Sequence, residues 1–431
     1  MDDRRFHFRR RYCTLLFHYK YLKSMKKNYP RELTKHLAVA MKDTPVVLIN
    51  GPRQAGKTTL ARQYDPSMPY YTLDDDNILN AVLQDPIGFV SRIENGVIDE
   101  VQRAPGLLRA IKLSVDQNRK PGRFLLTGSA NLLALPQMGD SLAGRMEVLT
   151  LLPLSIAEIE QRDSHFLMHA QAQTWPRQST TPDKFDCISH ALIGGYPEML
   201  VREDAHRRSA WARAYIKSIM ERDVKDIAAI DKLVEMPHLL DVLAQHSGKL
   251  TNFTQIGGQL NLDTKTTQKY VGLLENLFLI KRLRPWHRNT LSRLIKTPKL
   301  HFLDSGLLAS LNRITLARIE NDRSIAGALL ETWVYGELLK AMSITFEPWD
   351  IFHYRDKDQT EVDFILENPE RKIIGIEVKA SSTIFNHDFH GLRKLATLAG
   401  NDWLSGIVLY DGEQSLSFGE GLWAIPFSQF G

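Results

Sequence analysis

An apolar run followed by a glycine-rich loop and a helix start constrains this chain more than any other feature. Residues 46–50 are strand-like, the loop of residues 51–59 ends in Lys57, Thr58 and a second threonine, and residues 60–63 suit a helix. Glycines let backbone N–H groups turn toward a bound phosphate, and the N-terminus of the following helix adds partial positive charge. Lys57 can reach the terminal phosphates of a nucleotide, and Thr58 can ligate Mg²⁺. The segment therefore predicts a P-loop.

This loop is the predicted binding site for ATP and Mg²⁺. We expect nine residues to form it: Gly51, Pro52, Arg53, Gln54, Ala55, Gly56, Lys57, Thr58 and Thr59. A second apolar run, residues 96–98, ends in Asp99 and Glu100. We expect Asp99 to hold Mg²⁺ together with Thr58, and Glu100 to polarise the attacking water.

A third apolar run, residues 124–126, ends in small polar groups. Beside the strand that carries Asp99, its tip is placed to sense the γ-phosphate. Three residues are candidates, and strand phase does not separate them: Thr127, Ser129 and Asn131. The alternative is that these groups only cap a strand end before a helix.

Two arginines are candidates for neutralising charge in the transition state. Arg145 precedes an apolar run at residues 148–152, and a guanidinium here can act either in cis or from a neighbouring subunit. The alternative is a surface arginine in a structural ion pair. Arg222, in a helix-like run, is either a second phosphate-sensing arginine or a salt bridge on a helix face. The predicted catalytic residues are Glu100 and Arg145.

Length and cysteine content set the broad class. A chain of 431 residues predicts two to four domains. The two cysteines, Cys13 and Cys187, imply no disulfide framework and fit a reducing cytoplasm. No apolar run approaches the roughly 20 residues that span a membrane, so we expect no membrane partner.

The basic charge of the chain lies in its first residues. Residues 1–24 hold seven Lys or Arg and two Asp, so their net charge of +5 equals that of the whole chain. The remainder is neutral, so the overall charge says nothing about nucleic-acid binding by the folded body. This basic, aromatic arm either touches nucleic acid or a membrane, or is a dispensable extension with Met25 as the natural start.

Residues 236–304 predict a winged helix. One helix is followed by a second, capped by Asn252 or Thr254, and by a third, capped by Asp263. The third helix exposes a possible reading face: Lys265, Thr266, Gln268 and Lys269. A hairpin then carries seven basic residues and no acid: Lys281, Arg282, Arg284, Arg288, Arg293, Lys296 and Lys299. This pattern predicts a wing that tracks phosphates, with an interdomain packing module as the alternative.

The tail carries a second constellation. Glu331 opens a helix, Asp363 lies on one predicted strand, and Glu377 and Lys379 share one face of the next. Carboxylates can ligate Mg²⁺, and Lys379 can orient a water for phosphodiester attack. The order matches the PD-(D/E)xK nuclease core. Such a fold can persist without its chemistry, so activity and inactivity both stay open, as does a set of charges on exposed strand faces.

These motifs together resemble one bacterial family. They are Gly-Pro-Arg-Gln-Ala-Gly-Lys-Thr-Thr, Val-Ile-Asp-Glu-Val-Gln, Leu-Thr-Gly-Ser-Ala-Asn, Ser-Leu-Ala-Gly-Arg, Gly-Gly-Tyr-Pro-Glu and, in the tail, Ile-Glu-Val-Lys. The chain is similar over residues 28–431 to AAA-type ATP-binding proteins with a restriction-endonuclease-like C-terminal domain of unknown function. The resemblance implies an ATP site at residues 51–59 and a nuclease-like tail, but no pathway. Residues 1–24 fall outside its pattern, which favours the later start.

The predicted fold class is α/β, with five parts. They are a basic extension (1–27), an AAA-type P-loop ATPase core (28–155), a helical segment (156–235), a winged helix (236–304) and a nuclease-like domain (305–431). The expected function is Mg²⁺-dependent ATP hydrolysis that couples nucleotide state to nucleic-acid or partner binding. The alternatives are an ATP-gated nuclease and a nucleotide switch with an inactive tail. Expected partners are ATP, DNA through the winged helix and tail, and further copies of the chain.

Overall fold

The computed structural model describes residues 29–129, 142–177, 185–224, 235–288 and 297–430. The basic extension of residues 1–27 and the sensor candidate Asn131 lie outside the described residues, as do Arg293 and Lys296 of the predicted wing.

Five parallel strands form the first sheet, in the order β2-β3-β4-β1-β5. The strands are β1 (Val46–Asn50), β2 (Tyr70–Thr72), β3 (Gly96–Asp99), β4 (Phe124–Gly128) and β5 (Met146–Thr150). Strands β1, β3 and β4 are buried at every residue, which explains their continuous apolar runs. Because the strands are parallel, the ends of β1, β3 and β4 meet at one edge of the sheet.

Helices cover both faces of this sheet. They are α1 (Leu33–Asp43), α2 (Lys57–Tyr64), α3 (Asp76–Gln84), α4 (Pro86–Ser91) and α5 (Leu107–Gln117). Side chains of β1 alternate between the two faces: Val46 and Leu48 pack into one apolar cluster, and Val47 and Ile49 pack into another. The expected α/β class is confirmed, and the structure adds that the first sheet is parallel.

Short helices connect this sheet to the rest of the chain. They are α6 (Ile156–Glu160), α7 (Phe166–Ala172), α8 (Cys187–Ile193), α9 (Pro197–Leu200) and α10 (Ala205–Ser218), which runs into a π-helical turn, Ile219–Asp223. The sequence predicted one helical segment, but its apolar faces pack into two different cores. Phe166 and Cys187 pack with the tail, whereas Tyr215 and Ile219 pack with the helices that follow.

The next unit alternates helices with a small antiparallel sheet of order β6-β8-β7. Its elements are α11 (Glu235–Gln245), β6 (Lys249–Leu250), α12 (Phe253–Gly258), α13 (Thr264–Asn276), β7 (Ile280–Leu283) and β8 (Lys299–Phe302). Asn252 caps α12 by accepting a hydrogen bond from the backbone of Gln255, and Asp263 caps α13.

The tail is a six-stranded mixed sheet, in the order β13-β14-β12-β11-β10-β9, with helices packed on it. The strands are β9 (Asp350–Arg355), β10 (Glu361–Glu367), β11 (Ile373–Lys379), β12 (Trp403–Tyr410), β13 (Leu416–Ser417) and β14 (Leu422–Pro426). Helices α14 (Ser305–Leu311) and α15 (Leu316–Asn321) lead into this part, and α16 (Ser324–Ser343) and α17 (His390–Ala399) pack on its sheet. Strands β9, β10 and β11 are antiparallel, and α17 links β11 to its parallel neighbour β12. Within the described part of the chain, no helix combines the length and apolar character needed to cross a membrane.

Candidate functional site

The loop after β1 can only be built with glycine at its two ends. Gly51 has φ +142°, and a Cβ there would lie 2.2 Å from the carbonyl oxygen of Leu151. Gly56 has φ +101° and stands directly before α2. Residues that carry a side chain rarely adopt these backbone conformations, so both glycines are structurally required. The loop thereby places its backbone at the N-terminus of α2.

Lys57 is folded back onto this loop. Only 4% of its surface is exposed, and its Nζ donates to the carbonyl oxygens of Gly51 (2.9 Å) and Pro52 (2.8 Å). Burial lowers the pKa of Lys57 to about 8, although Glu100 and Asp99 favour the charged form. The ammonium is therefore held by neutral acceptors, and a phosphate would give it a charged one.

Asp99, at the end of β3, collects three hydroxyl groups. It accepts hydrogen bonds from Thr58 Oγ1 (3.0 Å), from the hydroxyl of Tyr70 (2.6 Å) and from Thr127 Oγ1. Burial, and then the hydrogen bond to Asp99, raise the pKa of Tyr70 to about 12. Thr58 and Asp99 together supply the hard oxygen ligands that Mg²⁺ prefers, so these residues fit that ion.

Glu100 adopts a left-handed backbone conformation with φ +61°, which is uncommon for a residue with a side chain. Its backbone N–H donates to Thr127 Oγ1 (3.1 Å), and its carboxylate accepts from Gln102 Nε2. Gln102 Nε2 also donates to Ser129 Oγ (2.8 Å). Two of the three sensor candidates therefore lie beside the acidic pair. Gln102 was not identified from the sequence as a site residue, although its position two residues after Glu100 was the available signal.

Arg145 lies at the wrong edge of the sheet for a role in cis. It directly precedes β5, whose first residue, Met146, pairs with Val46 at the start of β1. The P-loop follows the other end of β1, about 16 Å away at 3.3 Å per residue. In this structure Arg145 is in contact with Asp116 instead. This position does not favour a role in cis; it agrees with the alternative of a surface arginine in an ion pair, and a role on a neighbouring subunit stays a prediction.

Asp223, not Arg222, connects the π-helical turn to the P-loop. Arg53 Nη2 lies 2.6 Å from Asp223 Oδ1, and the hydroxyl of Tyr215 donates to the carbonyl oxygen of Arg53 (3.1 Å). Arg222 is exposed. The sequence indicates only Arg222 in this run, either as a phosphate-sensing arginine or as a salt bridge on a helix face. The acidic residue beside it contacts the loop through the loop's own arginine.

Arg31 closes the loop from its other side. Its guanidinium donates to the carbonyl oxygens of Ala55 (2.6 Å) and Leu152 (2.6 Å), and its Nε lies 3.0 Å from Glu158 Oε1. No local pattern could have identified this residue, because its partners lie 24 to 127 residues away in the chain.

The predicted carboxylates of the tail come together, but around an unexpected cation. Lys299 Nζ lies 3.0 Å from Glu331 Oε1 and 3.7 Å from Asp363 Oδ1, and it also contacts Glu361. Lys299 belongs to β8, outside the tail sheet, and is only 2% exposed. It therefore does not track phosphates on the surface of a wing, as the basic run had suggested.

The other two predicted tail residues lie at the rim of this cluster. The backbone N–H of Val378, next to Glu377, donates to Asp363 Oδ2 (2.9 Å), and Lys379 Nζ is 4.0 Å from Glu377 Oε2. Burial, and then the charge of Asp363, raise the pKa of Glu377 well above its ordinary value. Burial, followed by Asp363, also raises the pKa of Glu331 to about 8. The described residues contain no group of three His, Cys, Asp or Glu arranged to hold a metal ion.

Three known families match successive parts of the chain. Residues 43–160 match the AAA domain family. Residues 184–318 and 326–430 match two domains of unknown function, DUF8612 and DUF4143. Together with the parallel sheet and its glycine-bounded loop, the first match defines a P-loop ATPase domain of the AAA type.

The chain belongs to the family of two mycobacterial proteins. These are the uncharacterized proteins Rv2008c of Mycobacterium tuberculosis and Mb2031c of Mycobacterium bovis. Each is 30% identical over 359 residues, which is 82% of this chain and 74% of the relative. Among solved structures, the Walker-type ATPase PABY2304 of Pyrococcus abyssi is similar at 14% identity and a TM-score of 0.38, over 66% of this chain and 96% of that one.

Proposed function

We propose that this chain hydrolyses ATP at the P-loop, with Asp99 and Glu100 as its acidic pair. One observation carries the proposal: Thr58 and Asp99 are in hydrogen-bond contact next to a buried lysine whose ammonium donates to loop carbonyls. A terminal phosphate would replace these neutral acceptors with charged ones, which strengthens each hydrogen bond about twofold. The match of residues 43–160 to the AAA domain family supports the same conclusion.

Each residue of the site then has a distinct task. Lys57 and the loop N–H groups bind the phosphates, and Glu100 orients the attacking water and takes up its proton. Thr127 and Gln102 hold Asp99 and Glu100 in position. Mg²⁺, when bound by Thr58 and Asp99, neutralises negative charge on the phosphate oxygens.

The variant Glu100→Gln tests this assignment. It should bind ATP as tightly as the wild type but hydrolyse it about 100-fold more slowly, because the amide cannot accept the proton from water. Phosphate release and equilibrium binding of a fluorescent ATP analogue measure the two quantities separately. The exposed Glu94→Gln is the matched control. Equal turnover in the wild type and Glu100→Gln would refute the role of Glu100.

We further propose that nucleotide state reaches the helical unit through the contact between Arg53 and Asp223. Arg53 belongs to the P-loop, whereas Asp223 ends the π-helical turn, whose core packs with α11 and α13. Such turns are frequent at functional sites. Phosphates of ATP compete with Asp223 for the guanidinium, so nucleotide binding would loosen this contact.

Asp223→Asn should therefore bind ATP more tightly, by about fivefold, which corresponds to the loss of about 1 kcal/mol of competing ion pairing. Hydrogen exchange in residues 205–223 should respond to ATP in the wild type and much less in the variant. Glu221→Gln, two residues earlier and exposed, is the control. An unchanged affinity together with an unchanged exchange response would exclude this route.

The binding partner remains a proposal in which nucleic acid is the first candidate. The order helix, strand, helix, helix, strand, strand from α11 to β8 is that of a winged helix. Lys265, Gln268 and Lys269 are exposed on α13, where a reading face would lie. The alternative of an ATP-gated nuclease is less well supported, because an ammonium lies among the carboxylates that would have to hold its metal.

A further inference from the structure

The carboxylate cluster of the tail surrounds one atom, Lys299 Nζ. Three acidic side chains reach it from two elements: Glu331 from α16, and Glu361 and Asp363 from β10. Lys299 itself comes from β8 of the small antiparallel sheet, so the site is completed by a neighbouring unit of the same chain. Burial opposes its charge, but these carboxylates outweigh burial and raise the pKa of Lys299.

A buried histidine also faces this cluster. His301, two residues along β8, is fully buried, and its Nε2 lies 3.7 Å from Glu331 Oε1. Within the described residues neither ring nitrogen has a hydrogen-bond partner. Imidazole nitrogens are common metal ligands, so His301 places one further donor atom beside these carboxylates.

A divalent cation does not fit this cluster as it stands. Metal–oxygen distances for Mg²⁺ and Ca²⁺ are about 2.0–2.6 Å, so an ion shared by Glu331 and Asp363 would occupy nearly the position of Lys299 Nζ. Two positive groups cannot occupy this position together.

We propose that Lys299 is a built-in cation that occupies a latent divalent-metal site in the tail. Glu331, Asp363 and Glu377, with His301 beside them, bind Mg²⁺ or Mn²⁺ only when the ammonium of Lys299 is absent. In the chain as folded here, the tail is therefore closed to metal by a residue of the preceding unit. This inference does not depend on ATP hydrolysis at the P-loop.

Direct titration with Mn²⁺ tests the proposal. Full-length protein is used in an Asp99→Asn background without nucleotide, so that the P-loop lacks its proposed metal ligand. Lys299→Met should bind one Mn²⁺ at micromolar to millimolar concentration, measured by electron paramagnetic resonance, and Mn²⁺ should raise its melting temperature. Wild-type Lys299 and the variant Lys299→Arg should bind none at this site. Adding Asp363→Asn to Lys299→Met should abolish the binding.

The outcomes that would overturn the proposal are distinct, and a second variant covers loss of folding. The proposal would be overturned if protein that retains Lys299 bound one Mn²⁺ and lost it on Asp363→Asn substitution. It would also be overturned if Lys299→Met folded but bound no Mn²⁺. If Lys299→Met does not fold, Lys299→Met/Glu361→Gln removes one repelling charge and keeps three carboxyl groups. Failure of both variants to fold even with Mn²⁺ also counts against the proposal, since the metal should replace the lost ammonium.

Discussion

Two buried lysines show how differently one side chain can be used in a single chain. Lys57 and Lys299 are almost equally buried, yet burial lowers the pKa of the first, whereas carboxylates raise the pKa of the second. Lys57 donates to carbonyl oxygens five and six residues away, and Lys299 is paired with carboxylates 32 to 64 residues away. The first lysine is thus available to an incoming anion, and the second is already neutralised.

The largest expected effect is on ATP binding, which should depend on Lys57. Lys57→Ala should weaken ATP binding by about 100-fold, because charge-assisted hydrogen bonds contribute about 1.5–3 kcal/mol each. The exposed Lys42→Ala is the control. Isothermal titration calorimetry with ATP and Mg²⁺ measures both. Unimpaired ATP binding by Lys57→Ala would mean that Lys57, like Lys299, does not bind an incoming phosphate.

The free energy of unfolding should depend more on Lys299 than on Lys57. Lys299→Met leaves buried carboxylates without their cation and should cost about 3 kcal/mol of unfolding free energy at neutral pH. Lys57→Met leaves two carbonyl acceptors without their donor but no buried charge unpaired, and should cost about 1 kcal/mol. Urea unfolding followed by circular dichroism compares the two variants. Equal losses would mean that carboxylate pairing does not distinguish these lysines.

The smallest expected effect concerns Arg145. Arg145→Ala removes a half-exposed pair with Asp116 and should change the unfolding free energy by less than about 1 kcal/mol. Turnover in dilute protein should match the wild type, because the side chain lies at the edge of the sheet opposite the P-loop. If Arg145 instead acts on a neighbouring subunit, wild-type turnover per chain will rise with protein concentration and the variant's will not. Asp116→Ala is the control for loss of the ion pair alone.

The sequence predicted those parts of the molecule that are encoded by neighbouring residues. The P-loop, Asp99 and Glu100 follow apolar strand runs, and parallel strands must bring such ends to one edge. Three residues have partners that are distant in the sequence, so no local pattern indicates their role: Arg31, Asp223 and Lys299. The basic run that ends at Lys299, the first residue of β8, was misleading for the same reason. Lys299 was counted as surface charge, but it lies in the interior.

Domain boundaries were harder to predict, because apolar periodicity does not say which core a helix joins. The stretch 156–235 has helical spacing throughout, yet Phe166 packs with the tail and Tyr215 with α11 and α13. The winged helix, the nuclease-like tail and the nucleic-acid partner stay predictions.

Helix α16 makes the ATPase and the tail hard to separate by cutting the chain. Glu337 accepts a hydrogen bond from the backbone N–H of Ile156 (2.9 Å), and Lys340 donates to the carbonyl oxygen of Leu154 (3.0 Å). Both backbone groups belong to the segment that leaves the nucleotide-binding sheet. Removing the tail would leave these polar groups, and the apolar side chains around them, facing solvent. An isolated ATPase fragment would therefore be prone to aggregate, and its lack of activity would say little about the intact chain.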